Sequence, residues 1–181
     1  MAQTKNQNTS LKKLILAALF LAIGAVLPLF TAQIKEIGDT LLPMHIPVML
    51  CSLICGFKYG LSVGFILPFL RSLVFGMPPV YPNAVWMAFE LAAYGFFLGF
   101  LYSRFKKQGI GQLYFSLISA QLLGRVVWAA AKAVLMGVAG KSFTFEAFLM
   151  GGFVDAFPGI ILQLVLIPLI MSLLRLYKDK K

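Results

Sequence analysis

The sequence predicts an all-α integral membrane protein, a bundle of six transmembrane helices with both termini in the cytoplasm. Three observations carry that prediction. Hydrophobic residues fill 60% of the 181 positions and charged residues only 12%, and the mean hydropathy is +0.89; a soluble domain of this size needs far more polar surface. The apolar residues gather into six segments near the roughly 20 residues that cross a bilayer as a helix. The lysines and arginines cluster between those segments rather than on one face. Residues 1–181 read as a single membrane domain.

In order, the chain begins with a polar stretch, 1–10, read as a cytoplasmic tail. Its Asn8-Thr9-Ser10 sequon on that side is inert. The first span covers 11–32. Lys12 and Lys13 before "LILAALFLAIGAVLPLF" resemble the start of a secretory signal. The run is long for a signal core and five further apolar segments follow, so it reads as a retained helix. The second and third spans, 44–59 and 60–76, are short, and "GFKYG" at 56–60 marks a tight turn between antiparallel helices. "GMPPVYP" at 76–82 breaks the chain again, because proline cannot continue a helix. Spans four to six are placed at 82–103, 113–138 and 152–175. Cys51 and Cys55 lie four apart in an apolar stretch, neither a CxxC pair nor a zinc spacing, and read as buried small residues.

The orientation follows from charge. With the N-terminus inside, the inner side holds Lys5, Lys12, Lys13, Lys58, Arg104, Lys106, Lys107, Arg175, Lys178, Lys180 and Lys181, and the outer side Lys35 and Lys141. Such an asymmetry places cationic loops in the cytoplasm. The net charge of +10 therefore reports orientation and gives no support to nucleic-acid binding.

Three cations remain inside the membrane: Arg71, Arg125 and Lys132. Each costs about 2.5 to 3.5 kcal/mol at a helix centre, so each must face a partner or a polar interior. Gln121, Arg125, Trp128 and Lys132 are spaced 4, 3 and 4, which aligns them in one stripe of a helix. Asn83, Met87, Glu90 and Tyr94 repeat that spacing on the fourth span. At 1.5 Å per residue, Glu90, Lys132 and Arg71 lie roughly 8 to 12 Å from the outer ends of their spans, and Arg125 roughly 20 Å. His45 and Asp155 start the second and sixth spans. Polar groups thus concentrate in the outer half, which describes a one-sided binding site rather than a through-pore. An alternative is that these charges serve only each other, Glu90 with Arg125 and Asp155 with Lys132 or Arg71. Three cations against two carboxylates leave an excess positive charge, suited to a small carboxylate-bearing solute. Trp128, Tyr94, and Phe153 or Phe157 are candidate walls.

Catalytic chemistry finds no support. "GVAGKSF" at 137–143 has Leu135 where a phosphate-binding loop needs glycine, so no ATPase motif is present. No metal-ligand cluster or catalytic triad is visible, His45 is the single histidine, and no cofactor is expected in this chain. No internal repeat marks it as a self-sufficient carrier. A stand-alone carrier, an intramembrane enzyme and an assembly factor stay open as alternatives. In the first span Ala18, Ala22 and Ala25 share a face, with "ALFLA" as a small-xxx-small motif that lets another helix approach closely.

The alanine-rich first helix, "LPMHIPVMLCSLICGFKYG", "LRSLVFGMPPVYPNAVWMAFELAAYG" and "AFPGIILQLVLIPLI" together resemble the substrate-binding S components of energy-coupling factor (ECF) vitamin transporters. The resemblance implies a binder of a water-soluble vitamin or precursor in a bacterial or archaeal membrane. It implies partners too: a transmembrane coupling protein and two ATPase subunits, which consume the ATP. Residues 32–44 would form a lid, and Ala18, Ala22 and Ala25 a docking face. The branch is similar to S components for pantothenate or pyridoxine-related compounds. Excess positive charge favours pantothenate; pyridoxine or folate are the alternatives. Arg71, Asn83, Glu90, Tyr94, Gln121, Arg125, Trp128, Lys132, His45 and Asp155 are the expected ligand contacts.

Overall fold

In the computed structural model, residues 2–31 and 41–179 are described, with side chains for 9–30 and 41–177. The described chain is helical, without strands. Helix α1 spans Ala2–Thr31, α2 His45–Cys55, α3 Phe57–Phe75, α4 Val85–Arg104, α5 Ile110–Val138, α6 Phe145–Leu149 and α7 Phe157–Asp179. Wide helical turns at Val80–Ala84 and Met150–Val154 lead into α4 and α7. The expected lid falls mostly outside the described residues, since 32–40 are not among them.

Among the described residues, five stretches are long and apolar enough to cross a membrane: Thr9–Phe30, Phe57–Phe75, Val80–Arg104, Ile110–Val138 and Phe157–Tyr177. The segment expected as a span over 44–59 differs. Its helix, α2, has 11 residues and rises about 16 Å, roughly half of a hydrocarbon core. Gly56, at φ 105° and ψ 165°, ends it, and α3 resumes at once with Phe57. The reversal expected over five residues is thus made at a single glycine, in a region of φ that L side chains rarely adopt. Because α2 is short and enclosed by α1, α3, α4 and α7, nine of its residues are buried, from His45 to Ser52 and at Cys55. Both cysteines are buried thiols.

The tightest assembly is α3 on α4. Gly60 of α3 faces Gly95 of α4, and Gly64 and Gly99 flank that crossing one turn away. A β-carbon at Gly95 would collide with the Gly60 backbone, one at Gly64 with the Leu91 carbonyl, and one at Gly99 with Ser52 and Phe57. Two GxxxG motifs, "GLSVG" and "GFFLG", therefore meet face to face, and the helix backbones touch. The Ser52 hydroxyl donates to the Gly95 carbonyl at the same crossing. This glycine seam is legible in the sequence as two small-xxx-small motifs. Around it Met49, Leu67, Leu91, Leu98, Leu113, Leu117 and Ile167 form the apolar core.

Helix α1 turns Ala17, Gly24, Ala25 and Pro28 inward, and a β-carbon at Gly24 would meet the Leu67 side chain 2.6 Å away. Its other face is bare: Leu14, Ile15, Ala18, Leu19, Ala22 and Ile23 are exposed. The expected three-alanine face is thus divided. Ala18 and Ala22 lie outside, and Ala25, 7% exposed, packs within the chain.

Candidate functional site

Polar groups from α2, α4 and α5 converge on one carboxylate. Glu90 is 3% exposed, surrounded by core. Arg125 Nη1 donates to its Oε1 over 2.8 Å, a length typical of charge-assisted bonds. Tyr94, one turn further along α4, donates its hydroxyl to the same oxygen over 3.2 Å. His45 Nε2, at the first position of α2, stands 3.5 Å from it, without a formed hydrogen bond. The His45 and Tyr94 rings meet edge to face at 5.1 Å. Gly124 on α5 makes room for that tyrosine, since a β-carbon there would fall 2.5 Å from the ring.

The stripe read along α5 is therefore real. Gln121, Arg125 and Trp128 are buried, and Lys132 is half-buried. Gln121 Nε2 donates to Gln163 Oε1 of α7 over 2.9 Å. Gln163 went unnoticed in the sequence, although a lone amide in "IILQLVLIPLI" is the signal that finds it. On α4, Glu90 and Tyr94 are buried and Met87 is half-buried; Asn83, expected on the same stripe, lies half-buried in the turn Val80–Ala84 before the helix.

Of the pairs the sequence offers, Glu90–Arg125 forms, and among the described residues no salt bridge to Asp155 is formed. Glu90 forms its salt bridge with Arg125, and the His45 ring stands beside it. Asp155 is exposed in the turn before α7. Lys132 turns its ammonium onto aromatic faces instead, 4.6 Å from the Trp128 ring, 5.3 Å from Trp86 and 5.4 Å from Phe143. Cation–π attraction and the low cost of keeping a lysine half-exposed explain that choice. Arg71 is also placed differently from the central cluster: its Nε donates to the Met77 carbonyl over 3.1 Å, tying α3 to the loop after it. Trp86 and Phe143, both absent from the expected site, complete the cage around Lys132. Phe153 packs on Phe148, and Phe157 is exposed.

The central cluster is short of acceptors. Arg125 Nε and Nη2, both nitrogens of His45, and Gln163 Nε2 are buried without a hydrogen-bond partner. Nε and Nη2 project side by side from one edge of the guanidinium, the edge opposite the Glu90 contact. That edge matches the two oxygens of a carboxylate.

A family model described as the ECF transporter, substrate-specific component, matches residues 12–171. The chain belongs to that family. No curated protein and no solved structure shows a significant match to it. As an S component it is a multi-pass membrane protein, the substrate-specific subunit of an ECF importer rather than an enzyme. Membership implies that coupling and ATPase modules complete the transporter.

Proposed function

We propose that this S component binds a small carboxylate-bearing vitamin or vitamin precursor, with pantothenate the preferred candidate and pyridoxine-related compounds or folate the alternatives. The observation that carries the reading is the unpartnered side-on edge of Arg125, buried beside a carboxylate that has already taken Nη1. Buried donors left unbonded cost about 1 to 3 kcal/mol each. A carboxylate on that edge satisfies two of them with parallel charge-assisted bonds. Gln163 Nε2, one helix away, is a further donor for an amide or hydroxyl oxygen. Pantothenate combines a carboxylate, an amide, hydroxyls and a branched apolar end, and matches that inventory. His45 and Tyr94 hold Glu90, and Trp128 forms a wall. Asn83, Met87 and Gln121 shape the surround. Neutral pyridoxine would leave the Arg125 edge without a counter-charge, and it ranks second for that reason.

The test is thermal unfolding of the purified chain in detergent with pantothenate, pyridoxine, pyridoxal, folate, thiamine, riboflavin and biotin in turn. A ligand that binds only the folded state at about 100 times its Kd contributes roughly 2.7 kcal/mol. A selective rise in Tm with pantothenate supports the assignment; a rise with pyridoxine alone moves it to the second candidate. Stabilisation by none of the carboxylates rejects the anion-binding reading.

The bare face of α1 is assigned to the coupling subunit. A shallow apolar groove lined by Ala22, Ile23, Val26, Leu27 and Phe30 runs beside exposed Ala18, and small residues permit close helix approach. Ala22→Trp is expected to lower uptake at least tenfold in membranes containing the whole transporter, while ligand affinity of the isolated chain stays within twofold. Unchanged uptake removes this face from the interface. Loss of binding instead assigns Ala22 to the fold.

A further inference from the structure

We infer that Lys132 is a displaceable counter-ion: the cage of Trp86, Trp128 and Phe143 holds its ammonium in the free protein, and the carboxylate of the bound solute draws it out. The inference rests on the anion-binding reading above and adds a specificity device to it.

Charge balance is the first argument. Glu90 and Arg125 neutralise each other at 2.8 Å. A second carboxylate on the Arg125 edge brings a negative charge into a buried place, and that charge needs a second cation. Lys132 is the next cation along the α5 stripe, two turns from Arg125, and side chains on a helix lean toward its N-terminus, here toward Arg125. Trp128 stands between them, with the Arg125 guanidinium 5.9 Å from its ring and the Lys132 ammonium 4.6 Å from it. Both cations already flank one indole.

Relative strength is the second argument. A half-exposed ammonium over aromatic rings is held weakly, whereas an ammonium–carboxylate contact in a dry interior is a charge-assisted bond of greater strength. Rings are strong enough to park the lysine and too weak to keep it against an anion. The cage therefore competes with the solute for Lys132. Asp155 does not draw the ammonium off the three rings, because it is exposed and solvent screens its charge. A neutral solute gives Lys132 no reason to leave, so the device favours anions over neutral compounds of similar shape.

The experiment uses the two tryptophans of the chain, both of which belong to the cage. Pantothenate is titrated into the full chain in detergent while intrinsic fluorescence and affinity are read, with folate and biotin as further carboxylates and pyridoxine as the neutral control. In the wild type, the carboxylate that binds is expected to change the indole emission. Lys132→Met should weaken that carboxylate at least tenfold, and the emission change at saturation should shrink to the part that comes from the solute against Trp128. Trp86→Leu carries the sharper expectation: loosening the cage should tighten the carboxylate about two- to fivefold, the gain from removing a weak competing contact. Thermal unfolding of each free variant checks that it is folded. Unchanged affinity in Lys132→Met, or weaker binding in a folded Trp86→Leu, overturns the inference. If either occurs while Arg125→Met abolishes binding, the anion site stands without the latch. A wild-type chain that binds no carboxylate overturns both.

Discussion

Arg125→Met is expected to lose pantothenate binding by at least about a hundredfold and to destabilise the chain by about 3 to 5 kcal/mol. The two effects have separate causes. Affinity falls because two charge-assisted donors leave the site, each contributing about 1.5 to 3 kcal/mol. Stability falls because Glu90, 3% exposed, is left buried without its 2.8 Å partner, and one half of a buried pair is costly alone. The double variant Glu90→Gln/Arg125→Met separates them. Replacing a whole buried pair by neutral groups is often close to neutral, so its unfolding midpoint should return most of the way to wild type. Its ligand affinity should remain lost. Recovery of both Tm and binding in the double variant would show that Arg125 serves only to neutralise Glu90.

Gly95→Leu is expected to disrupt assembly of the bundle, with a loss of at least about 3 kcal/mol, beyond the usual range for an overpacked core site. A side chain at 95 would run into the Gly60 backbone and the Leu61 amide. Backbone atoms cannot rotate away as a side-chain tip can, so α3 and α4 must separate along their whole seam. Gly95→Ala should show a smaller loss of the same kind. Gly111→Leu is the control, because a β-carbon at Gly111 meets nothing. Thermal unfolding in detergent reads all three. Equal midpoints for Gly95→Leu and Gly111→Leu would mean that the two helices do not cross at this glycine.

The loss at Gly95 reaches the functional site through α4. That helix places Glu90 and Tyr94 on the face toward α2 and α5, and the glycine seam sets how far α3 stands behind it. Two small-residue motifs thus position the carboxylate on which Arg125, Tyr94 and His45 converge.

Much of the site follows from one-dimensional spacing. Glu90 and Tyr94, or Gln121, Arg125, Trp128 and Lys132, must share helix faces once their segments are helical, because the period is fixed by backbone geometry. A charge in an apolar helix must also find a partner, which is why the Glu90–Arg125 pair could be anticipated. The choice of partner among distant groups is a different matter. Asp155 looked suited to Lys132 by sign and approximate depth, yet the turn at Met150–Val154 leaves it exposed and Lys132 finds rings from three places in the chain. Gln163, Trp86 and Phe143 were missed because an isolated amide or aromatic in an apolar run has no partner visible in the sequence.

The chain by itself determined the class: a hydrophobic composition, apolar segments and polar stripes at helical period. These follow from the insolubility of peptide groups and charges in lipid, which acts on each segment separately. Only the tertiary structure decided that α2 is a short enclosed helix, that the GxxxG motifs of α3 and α4 face each other, and that Arg125 has one edge on Glu90 and the other unpartnered. Those outcomes depend on which faces meet and at what distance. Contact distance is a property of pairs of helices, and no single segment encodes it.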